Sequence, residues 1–245
     1  MRVAPHTLFI SDLHLTSSRP HSTAQFFKFL QQTAPAAEAL YILGDLFEYW
    51  VGDDDNDDPL NSAVATALAK LAHAGTTVFL MHGNRDLLIG QEFALHCNAQ
   101  IITDPTLVVL YGTRTLLMHG DTLCTDDIDY QKFRAHVHAP ETQQRFLRQP
   151  LAARHQQMRD MRAQSVASKG AKSMEIMDVA LETVAQVLRE YGYPRLIHGH
   201  THRPAHHVHR LDGRKCERWV LSDWYSTGGF LRCAQWNCKA LAMRD

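Results

Sequence analysis

The chain contains no apolar run approaching the ~20 residues that a membrane-spanning helix requires, so any contact with a bilayer is expected to be peripheral. Its first residues, "MRVAPHTLFISDLHL", lack the apolar stretch and small-residue cleavage site of a secretory leader, and no signal peptide is expected. The five cysteines (Cys97, Cys124, Cys216, Cys233, Cys238) are scattered, odd in number and free of any CxxC pair. Reduced thiols in a cytoplasmic protein are the expectation, in preference to a disulfide framework. Internal repeats and low-complexity linkers are absent. The net charge is −1 with histidine neutral, and no aromatic stacking motif is present, which argues against a nucleic-acid partner.

What the chain has in quantity is histidine, 16 in 245 residues. With 45% apolar and 21% charged residues it is expected to fold as one domain over 1–245 with a full core. Short apolar runs ending in polar clusters recur: "TLFISDLHL", "ALYILGDLFEYW", "TTVFLMHGNRD", "TRTLLMHGDT" and "PRLIHGHTH". Runs of that length, rich in Leu, Ile, Val and Phe, predict buried strands. Helical stretches near His21–Thr33 and Pro59–Ala74 separate the first three, giving β-α-β-α-β and an α/β layered fold. "LDGR" predicts a hairpin between strands near Ala205–Arg210 and Glu217–Ser222, and a last strand is expected over Phe230–Trp236.

The segment from about 126 to 191 lacks the strand pattern and is predicted to be a helical insertion, or lid, over the sheet. Between Ile128 and Glu175 it carries nine Lys or Arg against four Asp or Glu, a balance suited to an anionic substrate. The aspartates of "GDDDNDD" lack the glycine and glutamate of a Ca2+ loop, so a solvated or site-flanking loop is expected there.

The polar clusters carry the chemistry. Asp12-x-His14, Gly44-Asp45, Gly83-Asn84, His119-Gly120 and Gly199-His200-x-His202 each stand where a strand ends. Residues two apart leave extended backbone on one face, and the carboxyl edge of a layered sheet is where such folds build sites. Asp12, His14, Asp45, Asn84, His119, His200 and His202 therefore form a candidate ligand set. Seven N and O donors without cysteine exceed one tetrahedral zinc and suit two metals sharing a carboxylate, for which Asp45 is the candidate. Imidazole, carboxylate and amide together fit Mn2+, Fe2+, Co2+ or Zn2+; two divalent ions, with Mn2+ foremost, are the expected cofactors.

The pattern DxH…GD…GN…H…GHxH resembles the calcineurin-like metallophosphoesterase superfamily, over about 1–125 and 192–245. The resemblance implies a β-sandwich flanked by helices with a two-metal site at one edge. It would put Asp12, His14 and His202 on one metal and Asn84, His119 and His200 on the other, with Asp45 between them and His198 left to packing or support.

Most of that superfamily reads GNH[DE] where this chain has Gly83-Asn84-Arg85-Asp86. A histidine there would protonate a poor leaving group. Arginine stays charged and does not, but it holds phosphate bidentately and stabilises developing charge. A substrate whose leaving group is already a stable anion is expected, which favours a pyrophosphate over a monoester. "LGDLFEYWVGDDD", "HGDTLCTDD", "EIMDV" and "IHGHTHRP" also resemble the UDP-2,3-diacylglucosamine diphosphatase branch of lipid A biosynthesis. That resemblance implies attack of water at the α-phosphorus of a lipid-linked nucleotide sugar. Asn84 and Arg85 would be catalytic, and Asn84, Arg85, Asp127, Ser165, Lys172 and His200 would bind substrate; Lys169 replaces the branch's asparagine. It further implies acyl chains held among Phe133, Val137, Phe146, Leu147, Leu151 and Met158, and peripheral attachment to an anionic inner membrane on its cytoplasmic face. The alternative is another two-metal phosphodiesterase or phosphatase of the superfamily.

Overall fold

A computed structural model of the chain describes residues 4–55, 58–169, 178–225, 228–235 and 237–243, with only the helical backbone over 164–169. In order the elements are β1 (His6–Ile10), α1 (Pro20–Gln32), β2 (Ala39–Leu43), α2 (Pro59–His73), β3 (Thr77–Met81), α3 (Gln91–His96), β4 (Ala99–Ile102), β5 (Thr106–Leu110) and β6 (Thr113–Met118). There follow α4 (Ile128–His138), α5 (Pro140–Leu147), α6 (Leu151–Lys169), α7 (Leu181–Glu190), β7 (Arg195–His198), β8 (Ala205–Leu211), β9 (Arg214–Val220), β10 (Gly229–Ala234) and β11 (Cys238–Ala242).

The strands form a six-stranded sheet, β11-β10-β1-β2-β3-β4, and a five-stranded sheet, β5-β6-β7-β9-β8. Alternation along each strand explains the unbroken apolar runs. Leu8, Ile10, Leu40, Ile42, Val78 and Leu80 share one core with Phe26 and Phe29 of α1 and Val64 and Leu68 of α2. The intervening Phe9, Tyr41, Leu43 and Met81 meet Leu117 of β6 and Ile197 of β7 in the core between the sheets. On the far side of the second sheet, Leu116, Met118 and Leu196 pack on Val184 and Leu188 of α7. Both faces of the central strands are covered, so no polar alternation survives in them. Each fully buried Leu, Ile or Phe contributes about 1.5–3 kcal/mol relative to exposure. The layered α/β sandwich agrees with the expectation.

The centre of each sheet is parallel: β1 with β2, β2 with β3, and β6 with β7. Their carboxyl ends thus open on a common edge within each sheet. The hairpin at Asp212-Gly213 is present, with β8 and β9 in register from Ala205↔Val220 to Leu211↔Arg214. The strand foreseen near the C-terminus is β10, and it turns back into β11, which was not foreseen.

One expectation is corrected here. Cys233 and Cys238 are disulfide-bonded, because the β10–β11 hairpin sets them directly opposite each other with Cα atoms 4.1 Å apart. Cys97, Cys124 and Cys216 are buried free thiols.

The acidic run after β2 is a fastening point. Asp53 accepts from Trp50 Nε1 (3.0 Å) and from the backbone N–H groups of Gly90 (2.8 Å) and Phe93 (3.0 Å). Asp54 pairs with Arg154 of α6, whose side chain is 2% exposed and also donates to the Val51 carbonyl at 2.6 Å. Asp55 lies 3.1 Å from His155 Nε2, and Asp58 caps α2 through Leu60 and Asn61. Phe146 and Met158 pack with Val51 on the same side, so α5 and α6 are bound to the loop that follows β2.

Candidate metal centre

Each candidate ligand follows a central strand, and the backbone there leaves the strand abruptly. Asp12, His14, Asp45, His200 and His202 all have positive φ, between 49° and 69°. Such conformations cost of order 1–3 kcal/mol each for non-glycine residues and cluster at functional sites. They hold because the loops lock together. Asp12 N–H donates to the Gly44 carbonyl (3.1 Å) and His14 N–H to the Asp45 carbonyl (2.9 Å). Asp86 is fully buried and gathers the backbone N–H groups of Asp45, Leu46, Phe47 and Gly83 at 2.7–3.3 Å. Two glycines are compulsory. A Cβ on Gly83 would lie 2.1 Å from Asp45 Oδ1, and one on Gly199 would lie 2.3 Å from Asp12 Oδ2.

All seven predicted residues are brought together. Asp12 Oδ1 is 3.3 Å from His202 Nε2, which is 3.2 Å from His14 Nε2. Asp45 Oδ2 is 3.8 Å from His14 Nε2, and Asp45 Oδ1 is 3.8 Å from His119 Nε2. Asn84 Oδ1 stands 3.1 Å from His119 Nε2 and 3.0 Å from His200 Nδ1. Asp12 Oδ2 accepts from the His200 backbone N–H at 2.9 Å and from the Ser11 hydroxyl at 2.5 Å. Two groups, Asp12–His14–His202 and Asp12–Asp45–His119, each present ligand atoms within 4.8 Å of one another.

The electrostatics suit a cation. Buried Asp12 Oδ1 and His14 Nδ1 have no hydrogen-bond partner. Burial opposes ionisation of Asp12, but His202, His119 and His14 outweigh it and hold the carboxyl well below the usual range. Burial raises Asp45 to about 7. Burial disfavours a charged His119, yet Asp45, Asp121 and Asp12 overcome it and raise the imidazole to about 9. Nδ1 of His119 donates to the Leu43 carbonyl (2.9 Å), which turns Nε2 toward the centre, the usual orientation of a ligating histidine. The residues fit a divalent metal.

Arg85 is 8% exposed. Its backbone N–H donates to Asp45 Oδ1 (2.9 Å), while its buried Nε has no hydrogen-bond partner and stands 3.9 Å from Asp45 Oδ2. Asp127 caps α4, accepting from the Tyr130 N–H at 3.1 Å. The side chains of Ser165 and Lys169, and the whole of Lys172, lie outside the described residues. His198 stays apart from the cluster: Nδ1 donates to the Gly199 carbonyl (2.9 Å) and Nε2 faces Arg218 Nη1 (3.2 Å). Burial and the Arg218 charge lower it to about 4, leaving a neutral acceptor. Cys124 is buried, and burial pushes its thiol up to about 12.

A surrounding shell escaped the sequence reading. Asp121 accepts from Tyr130 Oη (2.8 Å) and Arg134 Nε (2.7 Å), fixing α4 beside the centre, and the Tyr130 ring lies 5.8 Å from His200. Tyr225 stacks on His14 at 5.1 Å. Asp121, next to His119-Gly120, was the available signal; Tyr130, Arg134 and Tyr225 lie away from all five motifs.

A calcineurin-like phosphoesterase family model matches residues 5–204. The chain is 55% identical over 225 residues to a UDP-2,3-diacylglucosamine hydrolase of Aromatoleum aromaticum, covering 92% of this chain and 91% of that protein. It is 51% identical to one from Cellvibrio japonicus, over 98% of both, and 50% identical to one from Edwardsiella ictaluri, over 92% of this chain and 87% of that protein. The chain therefore belongs to the calcineurin-like phosphoesterases and, within them, to the family of these hydrolases.

Proposed function

We propose that the protein hydrolyses the pyrophosphate bond of UDP-2,3-diacylglucosamine at the α-phosphorus, giving UMP and 2,3-diacylglucosamine 1-phosphate, a step of lipid A biosynthesis. Similarity to the UDP-2,3-diacylglucosamine hydrolases supports the substrate. The observation that carries the chemistry is Arg85, with its buried unpartnered Nε, beside a cluster of carboxylates and imidazoles.

Asp12, His14 and His202 would hold one divalent ion, and Asn84, His119 and His200 a second, with Asp45 offering one oxygen to each. When bound, two such ions, Mn2+ in this proposal, supply a hydroxide at neutral pH and neutralise charge on the phosphate oxygens. Asp45 is oriented for this by the Arg85 backbone N–H and by the turn that Asp86 gathers. Arg85 would direct its guanidinium at the phosphate and stabilise the charge that develops there. The leaving group is a phosphate monoester anion, so no acid is needed to protonate it.

Asp127, Ser165, Lys169 and Lys172 are proposed to bind the glucosamine phosphate. Among the residues foreseen for acyl chains, Phe146 and Met158 are buried against Val51, whereas Phe133 (46% exposed) and Leu147 (41% exposed) face outward. The insertion, about 126–191 of a single domain, would receive the lipid there. No helix among the described residues is long and apolar enough to cross a membrane. With its excess of Lys and Arg, the insertion is proposed to dock on the anionic cytoplasmic face of the inner membrane, at about 1 kcal/mol per well-placed cation. Liposome flotation without binding to anionic vesicles would remove that part.

UMP release from UDP-2,3-diacylglucosamine with Mn2+ tests the reaction, using wild type and Arg85→His. Turnover by wild type with loss in the variant supports it. Absence of UMP with any divalent metal overturns the substrate.

A further inference from the structure

Glu48 has no part in the chemistry above, yet three guanidiniums and one imidazole from separate segments converge on it. Arg19, the residue before α1, pairs with Oε2. Arg162 of α6 donates to Oε1 through Nε at 2.7 Å and pairs with it again through Nη2. Arg85 Nη1 stands 3.9 Å from Oε1, and His14 Nδ1 stands 3.9 Å from Oε2. The Glu48 side chain is 17% exposed, Arg19 27% and Arg162 20%, so the cluster lies at an accessible rim of the centre. One carboxylate faces three guanidiniums, which leaves a positive surplus. The Arg85 guanidinium approaches Glu48 and Asp45 only at 3.9 Å, beyond direct hydrogen-bond reach, with its buried Nε unsatisfied.

We propose that Glu48 is a positioning residue that gathers Arg85 of the core and Arg162 of the insertion into a single clamp for a substrate phosphate. The inference rests on the anion-binding reading of Arg85. Three guanidiniums without a shared counter-charge repel and splay. The substrate would then have to order them at each encounter, at the expense of binding and of alignment. Arg19 closes the third side. Its guanidinium lies 4.6 Å over the Tyr225 ring, which in turn stacks on His14, so the clamp is referenced to the metal centre. The Arg162 contact also makes the clamp depend on α6 being seated.

The contrary role is a stand-in anion that competes with substrate, and the two roles differ in sign. Inorganic phosphate binding to the Mn2+-loaded protein by calorimetry, and UMP release, are measured for wild type, Glu48→Gln, Arg162→Ala and the double variant. Glu48→Gln should weaken phosphate binding about tenfold and lower kcat/KM about ten- to a hundredfold, with the loss divided between KM and kcat. Metal content should be unchanged, and Glu48→Asp should recover part of the loss. Arg162→Ala, a rim substitution, should reproduce much of it, and the double variant should add little to either single one. Phosphate binding as tight as wild type or tighter in Glu48→Gln, or full additivity in the double variant, overturns the proposal. If wild type binds phosphate but releases no UMP, the substrate assignment fails and the clamp is still decided on phosphate.

Discussion

His14 and His202, separated by most of the chain, bring their Nε2 atoms to 3.2 Å, with Asp12 Oδ1 a further 3.3 Å from His202. Two imidazole nitrogens facing each other satisfy one hydrogen bond at most. Facing a shared cation, both lone pairs are used. Chelator-treated protein should therefore be inactive and regain activity with Mn2+. His202→Ala should lower bound metal by about one ion of the two proposed, since each ion draws on three residues and the shared carboxylate. Elemental analysis beside circular dichroism checks both. Undiminished metal content in a folded His202→Ala would remove His202 from the ligand set.

Metal uptake should be coupled to protons. In the metal-free centre Asp45 is raised to about 7 and His119 to about 9, so both bind protons more tightly than in the unfolded chain. The stability they contribute is present at low pH and lost as pH rises, through about 7 for Asp45 and about 9 for His119. Ligands must shed these protons. The Tm component from these groups in metal-free protein should fall across that interval while Mn2+ affinity climbs. Calorimetry in buffers of different ionisation enthalpy would show proton release at pH 7.5; its absence would contradict the coupling.

Asp86→Asn should destabilise the protein and loosen its grip on metal together. The substitution replaces one acceptor oxygen with an amide that confronts backbone donors of Gly83, Asp45, Leu46 or Phe47. A loss of about 2–4 kcal/mol follows from leaving buried donors unpaired beside a neutralised group. Denaturant unfolding measures the first effect and metal titration the second. A stable variant with native metal affinity would show that Asp86 does not order the turn.

Arg154→Ala should release α6 from the loop after β2. The side chain is buried, pairs with Asp54 and donates to the Val51 carbonyl. Limited proteolysis should cut earlier within 140–169, and UMP release should drop, while metal content holds. An unchanged cleavage pattern would mean that Phe146 and Met158 hold the helix without Arg154.

The centre was legible in the sequence because its ligands terminate apolar runs, and chain order alone lines them up on parallel strands. The backbone that presents them was not. Left-handed φ at Asp12, His14, Asp45, His200 and His202 leaves no mark beyond the neighbouring glycines. Edge elements were also obscure: β5 exposes Leu107 and Val109 despite an apolar sequence, and β11 goes unmarked until Cys233 and Cys238 are seen face to face. The acidic run reads as a solvated or site-flanking loop, whereas Asp53 ties down the start of α3 and Asp54 and Asp55 both engage α6. Such partners are far apart in the chain, and no local pattern announces them. Glu48 and Asp86 escaped for the same reason.

β7 is inserted between β6 and β9, and only beyond it come His200 and His202. During synthesis Asp12, His14, Asp45, Asn84 and His119 leave the ribosome first and wait for their last two companions. Over that interval the nascent chain has acidic and imidazole groups without a complete cage, and a cation met early would be held by a partial and exchangeable set. Completion of the centre thus waits on β7 reaching its place beside β6, and stable metal retention would serve as a clock for that step, ahead of β8 to β11.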